Sequence, residues 1–164
     1  VLLAQAARLR GASVQLVHGP LQLHPALLEG LVCTPVQTAA EMGAALAAAQ
    51  PQADVLAMAA AVADHRRANP WPSKLTKAEL AVALADGWQE VPDLLTGLVA
   101  QRPAGQCILG FAAQSGDGLV VARQKLARKG CDWFLPIRLT NPRRDLQAPP
   151  TRVGYWARAV RKPA

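Results

Sequence analysis

Residues 56–77 read LAMAAAVADHRRANPWPSKLTK. The stretch opens as an apolar run of small residues from Leu56 to Ala63 and meets one acid, Asp64, then a basic pair, Arg66 and Arg67. A Pro/Trp-rich turn follows, and the stretch closes on Lys74 and Lys77. A buried strand that releases an acid at its C-terminal end, followed by a basic loop, is the pattern of an α/β nucleotide site. Ligands of open parallel sheets bind outside the carboxyl ends of the strands. Pro70, Trp71 and Pro72 argue against a regular helix or a central strand over residues 64–80, which are expected to form a mobile loop.

Working outward, the strand is expected over residues 54–62. Upstream, residues 38–50 (TAAEMGAALAAAQ) form the clearest helix, with Thr38 and Glu41 as a capping box and Pro51 as its stop. Short strands are expected at residues 13–18 and 31–36, joined by an irregular or weakly helical link over residues 21–30. Residues 1–10 have helical spacing and end at Gly11, a C′ glycine. Downstream, Val91-Pro92-Asp93 leads into a helix over residues 93–100, and CILGFAA at residues 107–113 is a buried strand. Residues 117–129 are an amphipathic helix with Leu119, Ala122 and Leu126 on one side, and Lys125 and Lys129 sharing a face. Gly130 closes it, residues 131–136 form a last strand, and periodicity then fades apart from residues 152–157.

Strands alternating with helices at this spacing predict an α/β fold. The expected architecture is a Rossmann-like three-layer sandwich with a mostly parallel sheet and helices on both faces. Residues 1–136 are read as one nucleotide-binding domain and residues 137–164 as a divergent basic tail. No GxGxxG follows a first strand, and the chain opens on a helix. The sequence is therefore expected to be an N-terminally truncated fragment.

The chain has 164 residues, 51% of them hydrophobic, which is enough for a packed core and excludes general disorder. No apolar run approaches the roughly 20 residues needed to span a bilayer, so no membrane association is expected. Cys33, Cys107 and Cys131 are odd in number and lie in apolar settings, as in a reduced, cytoplasmic protein without a disulfide framework. The histidines His18, His24 and His65 are scattered and form no zinc spacing. The net charge is +7, and six of those charges come from residues 137–164. Such a tail can bind nucleic acid or an anionic surface. A solvated terminus is the commoner role, so nucleic acid is not the expected partner.

Asp64 can accept hydrogen bonds from a ribose or base, or lie near a metal, or simply cap the next turn. Lys74 and Lys77 are compact charges able to follow a phosphate. As isolated residues they would be plain surface lysines. Pro92-Asp93-Leu94-Leu95 opens a helix whose free N–H groups can meet an anion, although Asp93 can equally be only a cap. Phe111 can stack on a base or belong to the core. Lys125 and Lys129 can bind phosphate or form a solvated face.

AAAVADHR, KLTK, VPDLL, GFAAQS and ARQKLARKGCD occur in that order over residues 59–132. Together with TAAEM at residues 38–42, the set resembles phosphopantothenoylcysteine synthetase, the ligase half of the bifunctional bacterial coenzyme A biosynthesis flavoprotein. The likeness runs from about Val1 to about Trp133. The resemblance implies a CTP-dependent, Mg²⁺-requiring ligase that joins 4′-phosphopantothenate to cysteine through an acyl-cytidylate. It implies that Met58, Ala59 and Ala60 line the nucleotide and that Asp64 binds it. Lys74 would contact the phosphates and assist catalysis. Pro92, Asp93, Leu94, Leu95 and Phe111 would hold the cytosine and ribose, and Lys125 and Lys129 would complete the site. It further implies a homodimer, and an FMN-dependent decarboxylase half outside this sequence.

Departures from the family pattern are specific. Its glycine-rich GGT loop and its asparagine-bearing Ser-Asn-x-Ser-Ser-Gly segment are absent from these residues. Thr76 stands for a usual lysine, Val91 for a usual asparagine and Gln114 for a usual glutamate. Pro136-Ile137-Arg138 stands where an Ala-Asn-Asp-like strand end is usual. These changes also fit an alternative: a noncatalytic nucleotide-binding relative whose basic tail binds an anionic partner.

Overall fold

The computed structural model describes residues 1–114, 118–138 and 160–161. In chain order the helices are α1 (Leu2–Arg8), α2 (Ala39–Ala49), α3 (Lys77–Ala85), α4 (Leu94–Ala100) and α5 (Gly118–Lys129). The strands are β1 (Gln15–His18), β2 (Val32–Pro35), β3 (Val55–Met58), β4 (His65–Arg67), β5 (Trp88–Glu90), β6 (Cys107–Gln114), β7 (Trp133–Arg138) and β8 (Val160–Arg161). They fold as two compact units, one from Val1–Ala45 with Ala61–Leu94, the other from Leu46–Ala60 with the described residues from Leu95 on.

In the first unit, β1 and β2 pair in parallel from Gln15↔Val32 to His18↔Pro35. The stop of α1 is the one its glycine implies. Gly11 has φ +88, its N–H bonds to the Arg8 carbonyl at 2.9 Å, and Ala12 N–H bonds to the Ala7 carbonyl at 3.2 Å. That is a Schellman closure, which needs a left-handed residue at Gly11. The amide of Gln5 donates to the Leu27 and Glu29 carbonyls at 2.8 and 3.0 Å, tying α1 to the 3₁₀ turn Pro25–Leu28. The capping box of α2 is formed: Glu41 N–H reaches Thr38 Oγ1 at 3.1 Å, and Glu41 Oε2 accepts from the Thr38 and Gln37 N–H groups at 3.3 and 2.7 Å.

The stretch over residues 64–80 departs from the expected mobile loop without a regular helix. β4 pairs antiparallel with β5, His65 opposite Glu90 and Arg67 opposite Trp88. Helix α3 begins at Lys77, five residues after Pro72. Thr76 caps it, accepting from Glu79 N–H at 3.3 Å while Glu79 Oε2 accepts from Thr76 N–H at 2.8 Å. The prolines therefore delimit the helix instead of excluding it.

In the second unit, β3, β6 and β7 form a parallel sheet, with β8 antiparallel on the β7 edge. Leu56, Ile108, Ala112 and Phe134 point to one face. There they meet Leu95 and Leu98 of α4 and Ala122 and Leu126 of α5, with Cys131 beside them. Beneath this core lies a buried amide pair. Gln50 Nε2 donates to the Leu98 carbonyl at 2.7 Å and to Gln106 Oε1 at 3.0 Å. Gln106 Nε2 donates to the Gln50 and Ala53 carbonyls at 3.0 and 2.6 Å. At the start of β7, Asp132 accepts from Ile108 N–H at 2.8 Å and pairs with Arg102 at 3.0 Å.

The fold class is the expected one, a Rossmann-like α/β arrangement with mostly parallel pairing. The strand expected over residues 54–62 covers only Val55–Met58, and Leu56 alone of its residues is buried, with Val55 59% exposed. An alanine-rich run is apolar enough to read as a strand throughout, but a strand persists only where a neighbour continues the ladder. β7 runs through Arg138, and Val160–Arg161 adds a strand to the same sheet. Residues 152–157 and most of the basic tail lie outside the described residues. No helix among the described residues is long and apolar enough to cross a membrane.

Candidate functional site

The second unit carries a sheet edge suited to a ligand. β3 stops at Met58, opposite Gly110, while β6 runs four residues further, from Phe111 to Gln114, beside β7. Beyond Gly110 the described ladder of β6 is therefore one-sided. Ala59 and Ala60 leave the sheet at this step, both exposed and both small enough to admit close approach of a ligand. The result is a notch at the carboxyl end of β3, the kind of crevice in which parallel sheets hold nucleotides. Its floor is packed: a Cβ on Gly110 would lie 2.6 Å from Phe134 Cε2 and 3.2 Å from Leu95 Cδ2.

The structure thus brings Met58, Ala59, Ala60 and Phe111 to one strand end. Met58 is half-buried against the core. Phe111 is half-buried on the sheet face opposite Gly110 and Ala112. Leu95 belongs to the core, 9% exposed, and backs the notch from behind Gly110. Lys125 and Lys129 project from α5, which packs along β6 and β7, and both are half-buried. Lys129 also lies in the last turn of α5, where a cation offsets the helix dipole. Burial pushes the Cys131 thiol up, with Asp132 adding to the shift and Lys129 and Arg102 opposing it.

The remaining residues of the expected site belong to the first unit. Asp64 does not follow β3 directly; it immediately precedes β4, and its carbonyl accepts from Val91 N–H at 2.8 Å. The β4–β5 ribbon therefore sets Asp64 beside the segment that continues into Pro92, Asp93 and Leu94. Pro92 and Asp93 are exposed. Leu94 opens α4, half-buried, with Cδ2 3.1 Å from a Cβ built on Gly43. Lys74 is exposed, two residues before the cap of α3. Thr76 and Glu79 are structural here, and the hydroxyl and N–H of Thr76 hold the Glu79 carboxyl below the ordinary glutamate value.

Sequence reasoning missed Arg67. Its Nη1 donates to the Ala83 carbonyl and, at 3.0 Å, to the Asp86 carbonyl, and its Cζ lies 5.5 Å from the Trp71 ring centre. The signal for α3 was present as Thr76-x-x-Glu79, the same box that marked α2. No comparable signal foretold the arginine, whose partners depend on how α3 folds back.

Comparison with known families matches residues 1–158 to the DNA/pantothenate metabolism flavoprotein C-terminal domain. The chain belongs to that family. Among characterised relatives it is 36% identical over 146 residues to the coenzyme A biosynthesis bifunctional protein CoaBC of Escherichia coli strain K12, covering 85% of this chain and 34% of the relative. It is 39% identical over 144 residues to the CoaBC protein of Mycobacterium bovis, covering 80% of this chain and 33% of the relative. The chain thus spans about a third of the length of these curated relatives. Among solved structures, a crystal structure of the C-terminal domain of CoaBC matches with a TM-score of 0.67 and 27% identity, covering 82% of this chain and 60% of that one. The resemblance drawn from the five motifs, and the Rossmann-like fold expected with it, hold for this family member.

Proposed function

We propose that this domain performs the ligase step of coenzyme A biosynthesis, joining 4′-phosphopantothenate to cysteine at the expense of CTP. The observation that carries the reading is the family match over residues 1–158, which contains all five motifs in order. In the reaction the carboxylate of 4′-phosphopantothenate attacks the α-phosphorus of CTP, the bond to pyrophosphate breaks, and an acyl-cytidylate forms. The amine of cysteine then attacks the acyl carbon, CMP leaves with the bonding pair, and the amine loses a proton.

The residues divide the work by their chemistry. The backbone of Met58, Ala59 and Ala60, with no large side chain at the last two, lets the nucleotide lie against the strand end. Phe111 offers a ring face to it. Asp64, with Pro92, Asp93, Leu94 and Leu95, would hold the base and ribose. Lys74 would offset charge on the departing pyrophosphate, the role in which a fixed cation contributes most, with Lys125 and Lys129 adding positive potential. Mg²⁺ would enter on the triphosphate and supply further charge neutralisation. Such an ion is commonly held by phosphate oxygens, water and one or two carboxylates, and among the described residues no group of three metal-ligating side chains gathers. The working protein would be a homodimer, with a FMN-dependent decarboxylase half in the same polypeptide.

The test uses the parent-length protein. CTP and ATP are titrated calorimetrically with Mg²⁺, and pyrophosphate release is followed with 4′-phosphopantothenate before cysteine is added. The expected result is selective CTP binding, lost in Asp64→Ala, and pyrophosphate release that falls about 100-fold in Lys74→Gln with unchanged thermal stability. No binding of either nucleotide, or equal loss of stability and activity in Lys74→Gln, refutes the reading.

A further inference from the structure

Lys74 lies in a connection fastened at both ends. At its C-terminal end, two residues on, Thr76 and Glu79 lock the start of α3. At its N-terminal end the fastening is Arg67. One guanidinium nitrogen, Nη1, satisfies the Ala83 and Asp86 carbonyls at the C-terminal end of α3, which have no partner within the helix. Gly87 makes room for the group. Its φ of +78 excludes most side chains, and a Cβ there would lie 2.7 Å from Arg67 Nη2. The guanidinium carbon lies over the Trp71 ring, 5.5 Å from its centre.

A lysine at residue 67 could reach those carbonyls; what arginine adds is a flat cation that can bond in its plane and stack on its face at once. The Nε–H of Arg67 is buried with no hydrogen-bond partner among the described residues, an arrangement that costs stability. Lys74 is three positions after Trp71, with Pro72 and Ser73 between them, so the backbone reach is at most about 11 Å.

We propose that the Arg67–Trp71 stack is an anchor that sets where Lys74 can go, which makes Arg67 a positioning residue for the basic segment. The functional part of this inference rests on the role proposed for Lys74 above; the anchor itself does not.

Two readouts separate them, both in the parent-length protein. The first is limited trypsin digestion, scored by mass spectrometry at the Lys74–Leu75 bond. Trp71→Leu, which leaves the carbonyl bonds of Arg67 intact and alters an exposed side chain, should speed that cut about threefold, the size expected of an exposed cation–π contact. Trp71→Phe should restore most of the protection, and Arg67→Lys should lose it. The second is steady-state kinetics. Trp71→Leu should lower kcat about threefold with the KM for CTP changed far less, because Lys74 is proposed to act on charge that develops as pyrophosphate departs, and should add nothing in a Lys74→Gln background. A cutting rate unchanged in Trp71→Leu overturns the anchor. Faster cutting with kcat effects that add to those of Lys74→Gln overturns the positioning of Lys74. A Lys74→Gln protein with wild-type kinetics refutes the role of Lys74 and overturns the positioning with it.

Discussion

Gly110→Ala is the sharpest test of the packing behind the notch. Gly110 has no positive φ, so alanine is sterically acceptable to the backbone and the outcome depends on space alone. The added Cβ would lie 2.6 Å from Phe134 Cε2, 2.8 Å from Cδ2 and 3.2 Å from Leu95 Cδ2. Carbon atoms prefer about 3.5–4.0 Å, so the ring must retreat by about 1 Å. Phe134 is 2% exposed and enclosed by the core, so it has little room to retreat. Overpacking of this kind costs about 1–3 kcal/mol, and restriction of the unfolded chain returns about 0.4–1 kcal/mol. The net loss of about 1–2 kcal/mol should lower Tm by about 2–8 °C in a chain of this size. Thermal unfolding of Gly110→Ala, Phe134→Leu and the double variant measures it. Shortening residue 134 makes room for the new methyl, so the double variant should be more stable than additivity allows by about 1 kcal/mol. Wild-type or higher Tm in Gly110→Ala, or strict additivity, refutes the reasoning.

Other consequences follow from the same contacts. Gln106→Leu removes the partners of the buried Gln50 carbonyl and the part-buried Ala53 carbonyl and one acceptor of Gln50 Nε2; a loss of about 1–3 kcal/mol in urea unfolding is expected. Hydrogen bonds, first from Gln37 N–H to Glu41 and from the Thr76 hydroxyl to Glu79, hold both carboxyls below the ordinary glutamate value. Each contribution is complete above that ordinary value and is lost as pH falls through the lowered one. Glu79→Gln should therefore lower helix content near neutrality, match the wild type at low pH and flatten the profile between, as measured by circular dichroism. Cys131 is fully buried with its thiol pushed up, whereas Cys33 and Cys107 are half-buried. A thiol reagent at neutral pH should label Cys131 only at the rate of global unfolding, which mass spectrometry of the labelled peptides would reveal.

What could be read from the chain alone was local. Thr38 and Glu41, Gly11, Pro51 and Gly130 mark their helix ends because a cap is decided within a few residues of sequence. The short apolar run CILGFAA at residues 107–113 marks β6 in the same local way, and the order of five motifs was enough to indicate the family. Other features needed the fold. The run from Leu56 to Ala63 is uniformly apolar, so nothing in it says that β3 ends at Met58. That end depends on where pairing with β6 stops, and hence on a partner about fifty residues away. Asp64 reads as the tail of a strand, yet its neighbour is Val91, brought there by the β4–β5 ribbon. Arg67 reads as half of a surface pair until α3 turns its last carbonyls toward it. Caps and periodicity are short-range and are written in adjacent residues. Strand ends, ribbon partners and the guanidinium's neighbours are set by contacts that exist only after the chain has closed on itself.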